Sequence, residues 1–174
     1  NQDAESGRDP SSLSQSLSKR GNGELGFDFT RLDENGDEIP SGTHTCVRDN
    51  VTELIWEVKT DTGFRSYNST FSWLTSNSAI NGVVTGTING GSCTTQAGVL
   101  TSCDTESYVA AVNSVGLCGA NDWRMPNMQE LLSLFHMGRL ANKFPRDGSG
   151  VDLWPNHASD STPYWTSQPS AFGI

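Results

Sequence analysis

The sequence lacks any apolar run of the length, about 20 residues, that a membrane-spanning helix needs. It also lacks a CxxC pair and any His or Cys spacing typical of zinc ligands. Basic residues are few, since 11 Lys and Arg stand against 20 Asp and Glu, for a formal net charge of −9. We therefore expect no membrane span, no zinc site and, because an acidic field repels phosphate groups, no nucleic-acid partner.

No catalytic set can be assembled from the residue pattern. The three histidines, His44, His136 and His157, do not fall into a Ser/His/Asp or Cys/His arrangement. Solvated or helix-capping histidines are the simpler interpretation, and His136 lies near the end of a predicted helix, where a cation suits the dipole. We expect a protein that is not an enzyme.

The chain does contain abundant Gly, Ser, Thr and Asn, with 34% hydrophobic residues in 174. This composition favours small sheets and long loops over a helical bundle. Residues 1–23 are polar and lack periodicity, which predicts an extended arm or linker. Residues 24–174 are then expected to form a single domain.

Four cysteines in such an acidic, polar chain indicate two disulfides and an oxidising compartment. Three connectivities are open on sequence alone. The spacing of Cys93 and Cys103 favours a local bridge, and elimination then pairs Cys46 with Cys118. We expect the protein to be extracellular, on the cell surface or periplasmic.

Alternating apolar residues predict strands in the first part of the chain. Leu25, Phe27 and Phe29 alternate with polar neighbours, as do Leu54, Trp56 and Val58. Asn35-Gly36, between the two stretches, is a strong signal for a tight turn.

Two helices are predicted further along, over about 105–116 and 128–137. In the first, Asp104 or Thr105 can cap the start and Gly116 can stop the helix. In the second, the predicted apolar face consists of Met128, Leu131, Leu132 and Phe135.

Several segments together resemble a known family. These are "GFDFTRLDENG", "CVRDNVTELIWEVKT", "CDTESYVAAVNSVGLCGANDWRMP" and "YWTS", in this order. They resemble the bacterial envelope family whose type member is the C-terminal domain of the Legionella collagen-like protein. The resemblance implies an α+β, C-type lectin-like fold: a small twisted antiparallel sheet, two helices and long disulfide-pinned loops. The fold is also similar to that of the formylglycine-generating enzyme, whose catalytic residues have no counterpart here.

The sequence departs from this family at two notable places. Glu53 stands where the family usually has Gly, and the chain stops at Ile174, before the family's closing strand. We expect the domain to lack that strand. An open sheet edge would then invite a strand from another copy or from a neighbouring chain.

The stretch "DWRMPNMQEL" concentrates residues suited to a chain corner. We interpret the set as structural: Trp123 fills the core, Arg124 pairs with Glu130, and Asn127 after Pro126 caps the helix.

One turn resembles part of a calcium loop. Asp33, Asn35 and Asp37 occupy its first, third and fifth positions, but Glu38 and His44 stand at the sixth and twelfth. A plain hairpin is the favoured interpretation, with calcium as a lesser expectation.

The loops after the second helix, residues about 139–163, are the predicted ligand surface. They lack periodicity, so we expect their side chains to be exposed and able to bind. Trp165 is expected in the core instead. The predicted contact residues are Asp147, Asp152, Trp154, Asn156, His157 and, just beyond, Tyr164. We expect a secreted or surface adhesion domain that binds a glycan or a protein; the alternative is a structural subunit or decoration of an extracellular assembly or filament.

Overall fold

The computed structural model describes residues 27–79, 84–136, 144–147, 150–157 and 163–169. The chain divides into two compact units: Asn1–Val58 with Phe144–Pro155, and Lys59–Lys143 with Asn156–Ile174. The predicted arm, residues 1–23, lies outside the described residues, and the single-domain boundary 24–174 stays a prediction.

The first unit contains a four-stranded antiparallel sheet. Its strands lie in the order β2-β1-β3-β4 and are β1 (Phe29–Leu32), β2 (Glu38–Ile39), β3 (Cys46–Asp49) and β4 (Ile55–Glu57). The two stretches with alternating apolar residues therefore supply β1 and β4.

Side-chain oxygens hold both hairpins of this sheet. Asp33 Oδ1 accepts hydrogen bonds from the amides of Asn35, at 2.8 Å, and Asp37, at 2.9 Å. Between β3 and β4, the carboxylate of Asp49 accepts from the Val51 amide at 2.9 Å and the Thr52 hydroxyl at 2.7 Å. Both turns are thus built by an acidic residue that ends its strand or directly follows it.

The second unit contains both α-helices that the described residues form, α1 (Thr105–Ser114) and α2 (Met128–Ser133), with a short 3₁₀ turn at Leu117–Gly119. Both begin where predicted and end earlier, because Gly116 adopts φ +61 after α1 and Leu134 caps α2. Sheet and helices together confirm the predicted α+β class.

The loop before α1 is held to the start of the helix by a disulfide and by hydrogen bonds. Cys103 forms the predicted disulfide with Cys93, and its amide donates to Asn89 Oδ1 at 2.8 Å. Next to it, the fully buried Asp104 caps α1 through the Ser107 amide at 2.8 Å and also accepts from the Asn89 amide.

All four cysteines are among the described residues, and none is a free thiol. Cys46 and Cys118 are also disulfide-bonded, and the number of disulfides is two, as predicted. Within the described ranges, no helix has the length and apolarity needed to cross a membrane.

Candidate binding surface

Trp154, the aromatic anchor of the predicted ligand loops, is a core residue of the first unit. This residue is 5% exposed. The ring packs edge-on against Phe29, with the ring centroids 5.4 Å apart, and in a tilted orientation against Phe144, with the centroids 5.6 Å apart. The expectation of an open Trp154 was wrong. Lack of periodicity indicates only the absence of regular structure, and this irregular segment packs Trp154 against Phe29 of β1.

The charged residues of the same loop contact other parts of the first unit. Asp147 forms an ion pair with Arg31 of β1 and accepts from the Val151 amide at 2.8 Å. Asp152 pairs with Arg146 at 2.6 Å. Both carboxylates thus help to hold the loop.

The remaining predicted contact residues, Asn156, His157 and Tyr164, are half-buried in the second unit. Residues 139–143, 148–149 and 158–162 of the predicted ligand segment lie outside the described residues. Ligand binding by this set stays a prediction.

The corner before α2 has the predicted ion pair. The Arg124 guanidinium donates two hydrogen bonds to Glu130, at 2.8 and 2.7 Å. Glu130 also accepts from the Asn127 amide at 2.8 Å, while Asn127 Oδ1 accepts from the Glu130 amide at 2.9 Å, which completes a capping box. The Trp123 indole donates to the Leu117 carbonyl at 3.0 Å, so the corner is tied to the end of the first helical region.

This arrangement stabilises charge at both members of the pair. The hydrogen bonds from Arg124 lower the pKa of Glu130 to about 2, because they outweigh the opposing effect of burial, and the Asn127 amide assists. The same pair raises the pKa of Arg124. Arg124 and Glu130 therefore both stay ionised, and their opposite charges cancel within the corner.

In the predicted calcium turn, the carboxylate of Asp33 is hydrogen-bonded to the backbone of the same turn. Asp33 accepts the amide hydrogen bonds of its own turn, first that of Asp37, and these lower its pKa. Among the residues that the structure describes, no group of three His, Cys, Asp or Glu side chains is placed to hold a metal ion. Calcium binding by Asp33, Asn35 and Asp37 stays a prediction.

The helix α2 exposes part of its predicted core face. Met128 is 57% exposed and Leu132 is 47% exposed, and none of the six helix residues, all of them described, is fully buried. Leu134, just after the helix, is instead 2% exposed. The prediction that Met128 and Leu132 face the core was wrong. The side chain that is buried at this end of the chain corner is that of Leu134, just after the helix.

A second exposed apolar group lies in the segment 163–169. Trp165 was expected in the core, but it is 37% exposed and its indole donates to the Phe71 carbonyl at 2.6 Å. The Trp73 indole donates to the Thr166 carbonyl at 3.0 Å, so two indole hydrogen bonds fix the segment on one side.

The same segment is fastened to the start of α2. The Ser167 amide donates to the Pro126 carbonyl at 2.8 Å, and Gln168 Oε1 accepts from the Met128 amide at 3.0 Å. These bonds bring the segment and the first turn of α2 together within the second unit. We call Met128, Leu132 and Trp165 the α2 surface.

Sequence reasoning missed the α2 surface for a physical reason. A four-residue apolar spacing predicts a shared helix face but does not say whether that face is covered. No signal in the sequence shows that the helix has only six residues, Met128–Ser133, and such a short helix leaves little surface to bury.

Comparison with known proteins places the chain in a family. The model of the Lcl C-terminal domain matches residues 45–173, which include β3, β4, both helices and Trp165. No curated protein and no solved structure matches the chain at a significant level, so the C-type lectin-like assignment stays a prediction. The match agrees with the resemblance carried by the "DWRMPNMQEL" and "CVRDNVTELIWEVKT" segments. The chain therefore belongs to the Lcl C-terminal domain family.

Proposed function

We propose that the chain is an extracellular or cell-surface binding domain, not an enzyme, which contacts a partner protein through the α2 surface. The observation that supports this most strongly is the exposure of Met128 and Leu132 on a helix whose first turn is held rigidly by a capping box. Exposed apolar side chains on a fixed backbone are typical of interaction sites.

Rigidity is a favourable property for such a site. The Trp165 indole is held by the Phe71 carbonyl, and the α2 backbone is held by Asn127 and Glu130. A partner that binds here loses less free energy in ordering the side chains of the site. Trp and Met are also residue types that interface centres favour.

The charge distribution favours a different protein over a second copy as the partner. The chain carries a formal net charge of −9, so two copies repel each other. At the α2 surface itself the nearby cation, Arg124, is already neutralised by Glu130. The surface therefore offers apolar contact without an unpaired charge to bury.

The disulfides support the proposed location. Two disulfides persist in oxidising compartments and are rare in the cytosol. The proposal needs neither a metal nor a cofactor, and it places recognition on the second unit instead of on Trp154.

Site-specific photo-crosslinking in the producing cells tests the proposal, because it captures whichever protein contacts the chosen position. A photoreactive phenylalanine analogue replaces Trp165 or Leu132 in two separate variants. The matched control replaces Val115, which is 45% exposed in the same unit, at the end of α1. We expect adducts with a different protein from positions 165 and 132 and none from position 115.

Two results would count against the proposal. Adducts only between copies of this chain would favour the alternative, a structural subunit of an extracellular assembly. The absence of adducts at 165 and 132, with the chain folded and at its normal abundance, would leave the α2 surface without a partner.

A further inference from the structure

An asparagine followed by a glycine is a chemically weak point of a protein chain. The backbone nitrogen of the glycine can reach the side-chain carbonyl of the asparagine, because glycine has no Cβ to obstruct the approach. Four such pairs occur in the sequence, and the structure describes two of them, Asn35-Gly36 and Asn89-Gly90. The other two, at 22–23 and 81–82, lie outside the described residues. The two described pairs differ in how firmly the fold holds them.

Asn35-Gly36 lies at the tip of the β1–β2 hairpin and is hydrogen-bonded to its own turn. Asn35 is exposed. Its backbone amide and its side chain both donate to the Asp33 carboxylate, and the Gly36 amide donates to the Asp33 carbonyl at 3.2 Å. Each of these bonds joins residues at most three positions apart. A local opening of the turn is therefore enough to free both the carbonyl of Asn35 and the nitrogen of Gly36.

Asn89-Gly90 is exposed as well, but its hydrogen bonds reach distant parts of the second unit. Asn89 Oδ1 accepts from the Cys103 amide at 2.8 Å, and the Gly90 amide donates to Ser72 Oγ at 2.9 Å. The partners are 14 and 18 positions away, and Cys103 is also held by its disulfide to Cys93. The carbonyl that would be attacked and the nitrogen that would attack it are thus both fixed by tertiary structure.

The surroundings of Gly90 add a steric restriction. A Cβ placed on Gly90 would lie 2.9 Å from Thr87 and 3.0 Å from Ser72. Ring closure between the asparagine and the glycine needs the main chain to rotate at this point. Close packing opposes such a rotation.

We propose that Asn35 is a site of spontaneous deamidation in the folded chain, whereas Asn89 is protected. The Gly36 nitrogen gives its proton to water and forms a bond to Cγ of Asn35. The bond from Cγ to Nδ2 breaks, Nδ2 takes up a proton, and ammonia leaves a five-membered succinimide. Water then opens the succinimide at either carbonyl and yields aspartate or isoaspartate. Water is the one co-reactant, and no oxidant or reductant is needed.

Both products change the β1–β2 hairpin. Each replaces an amide donor to Asp33 by a carboxylate, which adds a third negative charge between Asp33 and Asp37. Isoaspartate also inserts a methylene group into the main chain of a turn whose length sets the pairing of Leu32 with Glu38. The hairpin of an aged chain is therefore less stable than that of a new one.

This inference goes beyond the proposed function and does not depend on it. Asn35 lies in the first unit, whereas the α2 surface lies in the second. Crosslinking at positions 165 and 132 and deamidation at position 35 are separate measurements, so either idea can fail without the other.

Peptide mapping of the intact, freshly prepared chain during storage in mildly alkaline buffer tests the proposal. Mass spectrometry after chromatography separates the aspartate, isoaspartate and asparagine forms of each peptide. In the folded chain, we expect products at Asn35 to accumulate about tenfold faster than at Asn89, because only Asn89 has to break tertiary contacts. In the reduced, urea-unfolded chain, the two rates should become similar.

Two variants extend the test. Ser72→Ala removes the acceptor of the Gly90 amide and should speed deamidation at Asn89 without changing the rate at Asn35. Asn35→Gln should keep its melting temperature during storage, while that of the unaltered chain falls.

Three results would overturn the proposal. The first is an unchanged Asn35 in the folded chain when the unfolded chain reacts. The second is an equal rate at Asn35 and Asn89 in the folded chain. The third is a rate difference that persists after unfolding, since it would assign the difference to neighbouring residues and not to the fold.

Discussion

Glu53 adopts a backbone conformation that L-residues other than Asn and Asp rarely hold. Its φ is +63, and it lies in the turn between β3 and β4. The left-handed conformation costs a residue with a Cβ about 1–2 kcal/mol, and glycine avoids this cost. The departure from the family's usual glycine therefore leaves the turn in place but strains it.

Glu53→Gly should raise the free energy of unfolding by about 0.5–1 kcal/mol, after allowance for the greater freedom of glycine in the unfolded chain. Glu53→Ala, which keeps the Cβ, should not stabilise the fold. Urea unfolding of the three proteins measures both. Equal stabilisation by Ala and Gly would show that the side chain, and not the backbone angle, limits the turn.

Glu130 makes the stability of the corner depend on pH. Its pKa is about 2 in the folded chain against an ordinary 4.5, so the charged form stabilises the fold. This contribution is complete above pH 4.5 and disappears as the pH falls towards 2. Because the Arg124 side chain is 58% exposed, screening by solvent limits the contribution to about 1 kcal/mol.

Glu130→Gln should therefore lower the free energy of unfolding by about 1 kcal/mol at neutral pH, and the deficit should shrink through the acidic range. Glu34→Gln, at an exposed turn position, serves as the control and should change stability little at any pH. Denaturant titrations at several pH values give the comparison. A deficit that stays constant down to pH 2 would contradict an ionic origin.

At the scale of elements, α1 depends on a buried cap. Asp104 accepts from the Ser107 amide of the first helical turn, from the Asn89 amide and from the Ser102 hydroxyl. Burial raises the pKa of this carboxyl, but the hydrogen bonds, led by that of Ser102, outweigh burial and lower it. One side chain thus starts the helix and fastens the preceding loop.

Asp104→Ala should cost about 2–3 kcal/mol of stability, since it removes the cap and leaves buried amides without an acceptor. Asp122→Ala, at an exposed position, should cost less than about 0.5 kcal/mol. Thermal unfolding will compare the two. A small loss for Asp104→Ala would mean that water or a neighbouring residue replaces the cap.

The elements that could be predicted are those with local causes. The Asn35-Gly36 turn, the capping box at Asn127 and the start of α1 each depend on residues a few positions apart, and each is present. The Cys93–Cys103 bridge likewise follows from a short spacing. Exposure could not be predicted in the same way. Whether Trp154 or Trp165 is covered depends on which distant segment lies over it, and no local pattern records this.

At the scale of the whole molecule, the two tryptophans should behave in opposite ways. Trp154→Ala removes a 5% exposed ring that contacts Phe29 and Phe144, and should cost about 3–5 kcal/mol. Trp165→Ala should cost much less, because its ring is 37% exposed. Thermal melts of the two variants measure this difference. Equal losses would mean that Trp165 is as much a core residue as Trp154.

The central claim is that the α2 surface holds the chain to a partner outside the cell. The most direct measurement is the fraction of secreted chain retained with the insoluble extracellular material of the producing cells. It compares the unaltered chain, the triple variant Met128→Gln, Leu132→Gln, Trp165→Ser, and the control Val115→Ser. We predict that the triple variant moves to the soluble medium while the control stays bound. An unchanged distribution of a correctly folded triple variant would contradict the claim.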